Sequence, residues 1–142
     1  MKQTKTAQVV TENVALEFVD PAGEATAIDA DLVFAPADPY AVTMVFRTGL
    51  QEVRWTFGRE LLMEGLYEPT GDGDVHVWPC LSSVGTAVVI IELCSPDGEL
   101  LVQTASRKVT GFVTAMLASV PDGDESSFVD FDQELASLLG AE

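Results

Sequence analysis

The sequence predicts an α+β protein of one domain, in which a series of β-strands is followed by helices. Apolar and polar residues alternate through most of the chain up to Thr104, as they do in strands with one buried face. From Val109 onward the apolar residues follow helical spacing instead. The 142 residues fit a single domain over residues 1–142, and strands followed by helices are typical of the α+β class.

Alternation places the first four strands. The first two are predicted over residues 8–19 and 27–34, and the third over residues 40–48, where Arg47 lies on the polar face. The turn at residues 48–51 closes a hairpin into the fourth strand, residues 52–57.

The middle of the chain carries one short helix and three more strands. Residues 58–65 have helical spacing, and a turn around Gly73 precedes a strand over residues 74–81. Residues 86–93 are apolar on both faces, which predicts a central strand that is covered on both sides. Residues 99–104 form the last predicted strand.

Two amphipathic helices are predicted at the end of the chain. Ser106 is the predicted N-cap of the first, which ends before the turn residues 121–124. The second helix is predicted over residues 131–139, and its apolar positions are Phe131, Leu135, Leu138 and Leu139.

The charge balance is strongly acidic and speaks against nucleic-acid binding. The chain has 23 Asp and Glu and seven Lys and Arg, a net charge of −16. Such a field repels phosphates, and it either serves solubility or steers a basic partner surface. No signal peptide and no apolar stretch of about 18 residues is recognised, so we expect no transmembrane segment. Cys80 and Cys94 are expected as free thiols in a cytoplasmic protein.

No catalytic, cofactor or metal motif is recognised. His76 is the only histidine and has no evident nucleophile partner in the sequence. His76 with Cys80 offers fewer ligands than a zinc site needs, and the acidic pairs at Asp72 and Asp122 fail the spacing of a calcium loop. We therefore expect a protein without catalytic residues, cofactors or bound metal.

Six residues are predicted to contact a protein partner. Trp78 faces away from Val75 and Val77, on the same side as His76, and tryptophan is enriched at the energetic centres of interfaces. The alternative interpretation of the aromatic residues is that they form the core, as strand periodicity favours for most of them. The set comprises Tyr40, Arg54, Arg59, His76, Trp78 and Pro79.

The two arginines of this set also have a local interpretation. Arg54 and Arg59 are the only bases in a long acidic stretch. An ion pair with Glu52 or Glu60 is the simpler account of both, and it is favoured over a docking role.

An ordered series of short motifs identifies a resemblance that covers most of the chain. Each motif is weak alone, but the series is specific because the order and spacing leave little room for insertion. Together they resemble the SsgA-like sporulation and cell-division proteins of filamentous actinobacteria. The motifs are Asp38-Pro39-Tyr40-Ala41-Val42, Trp55-x-Phe57, Arg59-x-Leu61-Leu62, Gly65-Leu66, Pro69-x-Gly71-x-Gly73-Asp74-Val75, Val77-Trp78-Pro79, Ser95-Pro96-x-Gly98, Val120-Pro121 and Asp130-x-Asp132-x-Glu134-Leu135.

The resemblance implies a fold and a function. The fold would be similar to that of the Whirly proteins, with curved antiparallel sheets, helices packed across them and a homotrimeric assembly. The function would be non-enzymatic: a regulator at the division septum that helps to position sporulation septa and recruits the tubulin-like protein FtsZ, with an SsgA-like paralogue as partner.

Two other functions stay open at this point. A Whirly-like protein would bind single-stranded nucleic acid, although such binding needs a positively charged groove that this composition does not favour. A small-molecule-binding or enzymatic domain would need a pocket with converging polar groups.

Overall fold

The computed structural model describes residues 8–19, 22, 24–96 and 98–129. These residues form eight strands, two α-helices and one short 3-10 helix. The elements are β1 (Val10–Val19), β2 (Ala25–Phe34), β3 (Ala41–Thr48), β4 (Gln51–Gly58), α1 (Arg59–Gly65), β5 (Thr70–Asp72), β6 (Val75–Leu81), β7 (Ala87–Ser95), β8 (Gly98–Ala105), α2 (Ser106–Ser119) and the 3-10 helix Glu125–Phe128.

All eight strands belong to one antiparallel sheet, in the order β4-β3-β2-β1-β8-β7-β6-β5. Each half of the sheet is a meander of consecutive strands. The halves meet where β1 pairs with β8, at Glu17 opposite Gln103 and Phe18 opposite Val102. The α+β prediction with an antiparallel sheet is confirmed, and the sheet is a single curled one with two helices.

The core lies between one face of the sheet and the two helices. Alternate residues of the long strands point to this face, and they are buried through the middle of the sheet, as the sequence pattern predicts. The largest buried side chains from the strands are Phe34, Phe46, Leu16, Leu32, Met44, Ile91 and Leu93.

Both helices press an apolar stripe onto this face. In α2 the buried residues are Val109, Phe112, Val113 and Met116, at helical spacing. Ser106 is the first residue of α2 itself rather than the N-cap residue before it. Ala105 occupies the N-cap position with extended backbone and makes no side-chain capping bond, so the predicted cap is wrong.

The structure differs from the predicted elements in two further places. β5 is three residues long, too short for alternation to reveal, and Gly73 at φ 61° turns the chain into β6. β7 is an inner strand rather than the centre of the sheet, and among the described residues the helices pack on one of its faces. On its other face Val88 is buried by its neighbours and Ile90 is half-buried.

The predicted helix over residues 131–139 lies outside the described residues. Within the described part of the chain, no helix is long and apolar enough to cross a bilayer.

Candidate functional site

The sheet face that points away from the helices carries a half-buried aromatic centre with polar neighbours. Strand register puts Trp78 opposite Ile90, and Ile90 opposite Gln103. The next row places His76 opposite Glu92, and Glu92 opposite Leu101. Trp78, Ile90, Leu101 and Gln103 are all half-buried. These residues are called the outer patch: His76, Trp78, Ile90, Glu92, Leu101 and Gln103.

Polar contacts hold the rim of the outer patch. Nδ1 of His76 lies 3.5 Å from Oε1 of Glu92, and these side chains are 46% and 28% exposed. Nε2 of Gln103 donates to Oε1 of Glu17 at 2.9 Å. Gly71, opposite His76 on β5, leaves room for the imidazole, since a Cβ there would overlap the ring. The rim side chains are therefore oriented by their neighbours, while the histidine ring stays accessible.

The same face over β1–β4 has a different character, because its charges are paired with one another. Arg47 bridges Asp29 at 3.0 Å and Asp31 at 2.6 Å. Asn13 donates to both aspartates from the neighbouring strand. The hydrogen bond from Arg47, aided by Asn13, holds the pKa of Asp31 below its ordinary value. We call Asn13, Asp29, Asp31 and Arg47 the ionic patch.

Arg54 lies beside the ionic patch on β4 and is exposed. Its guanidinium is 3.0 Å from Oε2 of Glu52, so the local ion pair expected for this arginine is confirmed. With 64% of the side chain exposed, Arg54 remains accessible from solvent.

Arg59 is a correction to the predicted contact set. Its side chain is 1% exposed and pairs with Glu125 at 2.8 Å, not with Glu60. It also donates to the carbonyl oxygens of Val120 and Pro121, at 2.9 and 3.3 Å. Its guanidinium carbon lies 5.6 Å from the Phe34 ring centre, a cation–π contact. Arg59 therefore links α1 to the segment after α2 inside the protein, and its side chain is not accessible to a protein partner.

The pKa of Glu125 is below its ordinary value. The hydrogen bond from its own backbone N–H lowers the pKa most, and burial acts in the opposite direction and raises it. The hydrogen bond and positive charge of Arg59 lower the pKa further. The carboxylate also accepts from the N–H of Gly123 at 2.9 Å. Glu125 is thus held in its charged form inside the protein.

Tyr40 and Pro79 lie apart from the outer patch. Tyr40 is 53% exposed and borders an open cleft of about 340 Å³ at the start of α1. Pro79 is half-buried on the helix-covered face of β6, opposite Val89. Of the predicted set, the structure brings His76 and Trp78 together in the outer patch, and Tyr40 and Arg59 together at the cleft. The cleft is lined by Tyr40, Gly58, Arg59, Glu60, Leu61, Glu64, Asp72 and Glu125, whose carboxylates outnumber the one buried guanidinium.

A second depression lies between α1 and α2. It is a mostly apolar groove of about 390 Å³, and Tyr67 at its edge is 81% exposed. Its apolar lining comes from Met63, Leu66, Tyr67, Val113 and Leu117.

Strand pairing supplies the outer-patch residues that the sequence did not single out. Ile90, Leu101 and Gln103 join Trp78 only through the β6-β7-β8 register. For Ile90 the available signal is that residues 86–93 are apolar on both faces, a pattern that by itself predicts a covered strand. One group of potential metal ligands also forms there among the described residues: His76, Glu92 and Cys94.

Comparison with known proteins gives the family. The sequence model for "Streptomyces sporulation and cell division protein, SsgA" matches residues 28–125, more than half of the chain. The chain belongs to the SsgA family of sporulation and cell-division proteins. The predicted resemblance is therefore confirmed.

Relatives within the SsgA family carry the name SsgB. The chain is 48% identical to the sporulation-specific cell division protein SsgB of Streptomyces coelicolor over 113 residues, 79% of this chain and 82% of that protein. It is 43% identical to SsgB of Frankia casuarinae over 131 residues, 92% and 91% of the two chains. Within the family the motif series most resembles SsgB, in agreement with these matches.

Solved structures of the family share the fold. One, described with SsgB mutations that correlate to longitudinal cell division during sporulation of Streptomyces coelicolor, matches with a TM-score of 0.82 at 39% identity, covering 89% of this chain and 99% of that one. An SsgA-like sporulation-specific cell division protein from Thermobifida fusca matches with a TM-score of 0.83 at 32% identity, covering 95% and 98%. The likeness to Whirly proteins stays a prediction.

Proposed function

We propose that this protein is a non-enzymatic regulator of sporulation-specific cell division that helps to position septa and recruits FtsZ through protein contacts. Its membership of the sporulation and cell-division family carries the proposal. That family is not a class of enzymes, and the role calls for a binding surface. We assign this surface to the outer patch.

The composition of the outer patch suits a protein interface. A tryptophan at its centre is flanked by aliphatic Ile90 and Leu101, and a polar rim of His76, Glu92 and Gln103 surrounds them. Interfaces commonly have this arrangement, with a desolvated aromatic centre inside a hydrated rim. Antiparallel sheets commonly have one face in contact with solvent, which leaves such a face available to a partner.

Charge indicates what kind of partner surface would fit. The rim includes Glu92, Glu17 lies beside it in contact with Gln103, and the whole chain has a net charge of −16. Complementary potentials accelerate association and exclude wrong partners. We therefore propose that the outer patch meets a surface that is apolar at its centre and basic at its edge.

The experiment is a binding titration of purified FtsZ against the wild type and two single variants. Trp78→Ala removes the centre of the outer patch. Tyr67→Ala is the matched control, since it removes an exposed aromatic ring from the groove between α1 and α2. Circular dichroism and thermal melting confirm that both variants are folded.

The proposal expects Trp78→Ala to weaken FtsZ binding by about 30-fold or more, the effect of losing a hot spot worth about 2 kcal/mol. Tyr67→Ala is expected to bind like the wild type. Equal loss in both variants would refute the outer patch as the site. No association of the wild type at any salt concentration would refute FtsZ recruitment itself.

Single-strand nucleic-acid binding, the alternative function, finds little support in the charges. Of the five Lys and Arg residues in the described ranges, four have a carboxylate within 4.0 Å. These four are Arg47, Arg54, Arg59 and Lys108, so few cations are available for phosphates. We expect no mobility shift of a labelled oligonucleotide at low salt with tens of micromolar protein.

Assembly and location complete the proposal. We propose that the whole chain acts as one domain, forms a homotrimer with an SsgA-like paralogue as further partner, and localises to the division septum. Light scattering of the pure protein tests the trimer, and a clean monomer at micromolar concentration would exclude it. A fluorescent fusion in sporulating filaments tests septal localisation.

A further inference from the structure

Three side chains with different donor atoms converge at one end of the outer face. His76 and Glu92 are opposite one another on β6 and β7, and Cys94 follows Glu92 by two residues on the same face. The imidazole nitrogen, a carboxylate oxygen and the thiol sulfur all lie within 4.8 Å of one another. All three residues are partly accessible to solvent.

We propose that His76, Glu92 and Cys94 form a zinc site with three protein ligands and a fourth position open to solvent. The site goes beyond the proposed function and does not depend on it. Binding places a nitrogen, an oxygen and a sulfur on the ion. The Cys94 thiol proton is released to solvent, and the thiolate donates an electron pair to the metal without any redox change.

The donor set selects the metal. A thiolate and an imidazole with one carboxylate match borderline-soft Zn²⁺, whereas Ca²⁺ and Mg²⁺ prefer oxygen ligands only. Zinc sites that bind a water molecule or a substrate usually have three protein ligands and an open fourth position.

The distances allow a tetrahedral site after small side-chain rotations. Zinc–ligand bonds of about 2.0–2.3 Å place neighbouring ligand atoms roughly 3.3–3.8 Å apart. The imidazole nitrogen and the Glu92 oxygen are already 3.5 Å apart. The sulfur lies within 4.8 Å of the other two ligand atoms and so has to come at most about 1.5 Å closer, which a χ1 rotation of a partly exposed cysteine supplies.

The backbone under the site is held at both ends. The N–H of Cys94 donates to the carbonyl of Asp74 at 2.8 Å, which fixes the end of β7 to the β5–β6 turn. Val75 and Leu93 form the adjoining strand pair, and both are buried. The three ligands are thus presented by a fixed platform, which lowers the entropy that binding must remove.

The surrounding charge favours a cation. Glu92, Glu99 and Asp74 place negative charge near the Cys94 sulfur. A divalent ion reduces the repulsion among these carboxylates. The acidic residues carry no argument alone, since the nitrogen and sulfur ligands define the site.

Metal titration of the full chain without any partner tests the site directly. The protein is stripped with a chelator under reducing conditions and titrated with Co²⁺, whose thiolate charge-transfer band reports a cobalt–sulfur bond. We expect saturation at one Co²⁺ per chain, followed by loss of the band when Zn²⁺ displaces it. FtsZ is absent, so this result is independent of the proposed recruitment.

Variants identify the ligands, and the chain offers a matched control. Cys94→Ser is expected to abolish the charge-transfer band, and His76→Gln and Glu92→Gln to weaken Co²⁺ binding about tenfold or more. Cys80→Ser alters the other free thiol, which is exposed on β6, and is expected to bind like the wild type.

A measurement on the wild type keeps the test independent of variant folding. Zinc is expected to slow alkylation of Cys94 several-fold and to leave Cys80 unchanged, as read by mass spectrometry of peptides. Equal protection of both thiols, a band that survives Cys94→Ser, or no metal uptake at micromolar Zn²⁺ would each overturn the proposal.

Discussion

The junction where α1 begins and the outer face of β4 each hold an Arg–Glu ion pair, in opposite surroundings. Arg59 and Glu125 are 2.8 Å apart with side chains 1% and 11% exposed. Arg54 and Glu52 are 3.0 Å apart with side chains 64% and 47% exposed. The two pairs therefore have nearly the same contact distance, but the Arg59–Glu125 pair is buried and the Arg54–Glu52 pair is exposed to solvent.

Burial, rather than the distance between the charged atoms, decides how much stability is lost when an ion pair is broken. An exposed pair is screened and contributes about 0–1 kcal/mol. A buried pair is costly to assemble but more costly to break, because the remaining charge stays desolvated. Arg59 also satisfies two carbonyl groups of the segment after α2, so its loss exposes more than one unpaired group.

The largest expected effect is that of breaking the buried pair. Arg59→Met leaves the Glu125 carboxylate without its cation and should lower the free energy of unfolding by about 3–5 kcal/mol. Urea unfolding followed by circular dichroism measures the change. The double variant Arg59→Met with Glu125→Gln should recover part of the loss, and a double variant no more stable than Arg59→Met would contradict this account.

The second prediction concerns the close packing between the end of α1 and β6. Gly65 ends α1 against Val77, and an added Cβ would overlap that stiff side chain. Gly65→Ala should lower the free energy of unfolding by about 1–3 kcal/mol, the usual cost of overpacking. The control is Gly111→Ala in α2, where nothing lies within 4 Å and alanine should stabilise by about 0.5–1 kcal/mol. Equal changes of one sign would contradict the packing argument.

The third prediction concerns how the stability of the fold depends on pH through Glu125. The pKa of Glu125 in the folded protein is below its usual value of 4.5, so ionised Glu125 stabilises the fold fully above pH 4.5. This contribution is lost as the pH falls below 4.5 and through the folded pKa. Urea midpoints at a series of pH values should therefore fall more steeply for the wild type than for Glu125→Gln. Parallel acid limbs would show that Glu125 plays no such part.

The smallest expected effect comes from the exposed pair. Arg54→Ala should change the free energy of unfolding by less than about 1 kcal/mol, and 0.5 M NaCl should reduce even that difference. Urea unfolding at low and high salt measures both quantities. A loss comparable to that of Arg59→Met would mean that exposure does not separate the two pairs.

Much of the fold was predictable because local patterns agree with it. The alternation in residues 27–34 and 40–48 placed Ile28, Ala30, Met44 and Phe46 on the core side, as the structure has them. Helical spacing placed the buried stripe of α2. β5 was missed because three residues do not establish a period.

The candidate site was less predictable, because it depends on contacts distant in sequence. Alternation correctly placed His76 and Trp78 on one face of β6, opposite Val75 and Val77. For Arg59, sequence proximity suggested a local ion pair with Glu52 or Glu60, which is wrong because the guanidinium pairs with Glu125, sixty-six positions away. Sequence proximity also suggested Cys80 beside His76, whereas strand register brings Cys94 close to it instead.

Periodicity and composition, which are properties of the chain read locally, were enough for the class of fold, the acidic charge and the core-facing side of several strands, and an ordered series of motifs was enough for the family. The burial of Arg59, the aliphatic residues around Trp78 and the donor atoms near His76 became known only from the folded chain. Those outcomes follow from strand register and helix packing, which join residues far apart in the chain through contacts that no local pattern records.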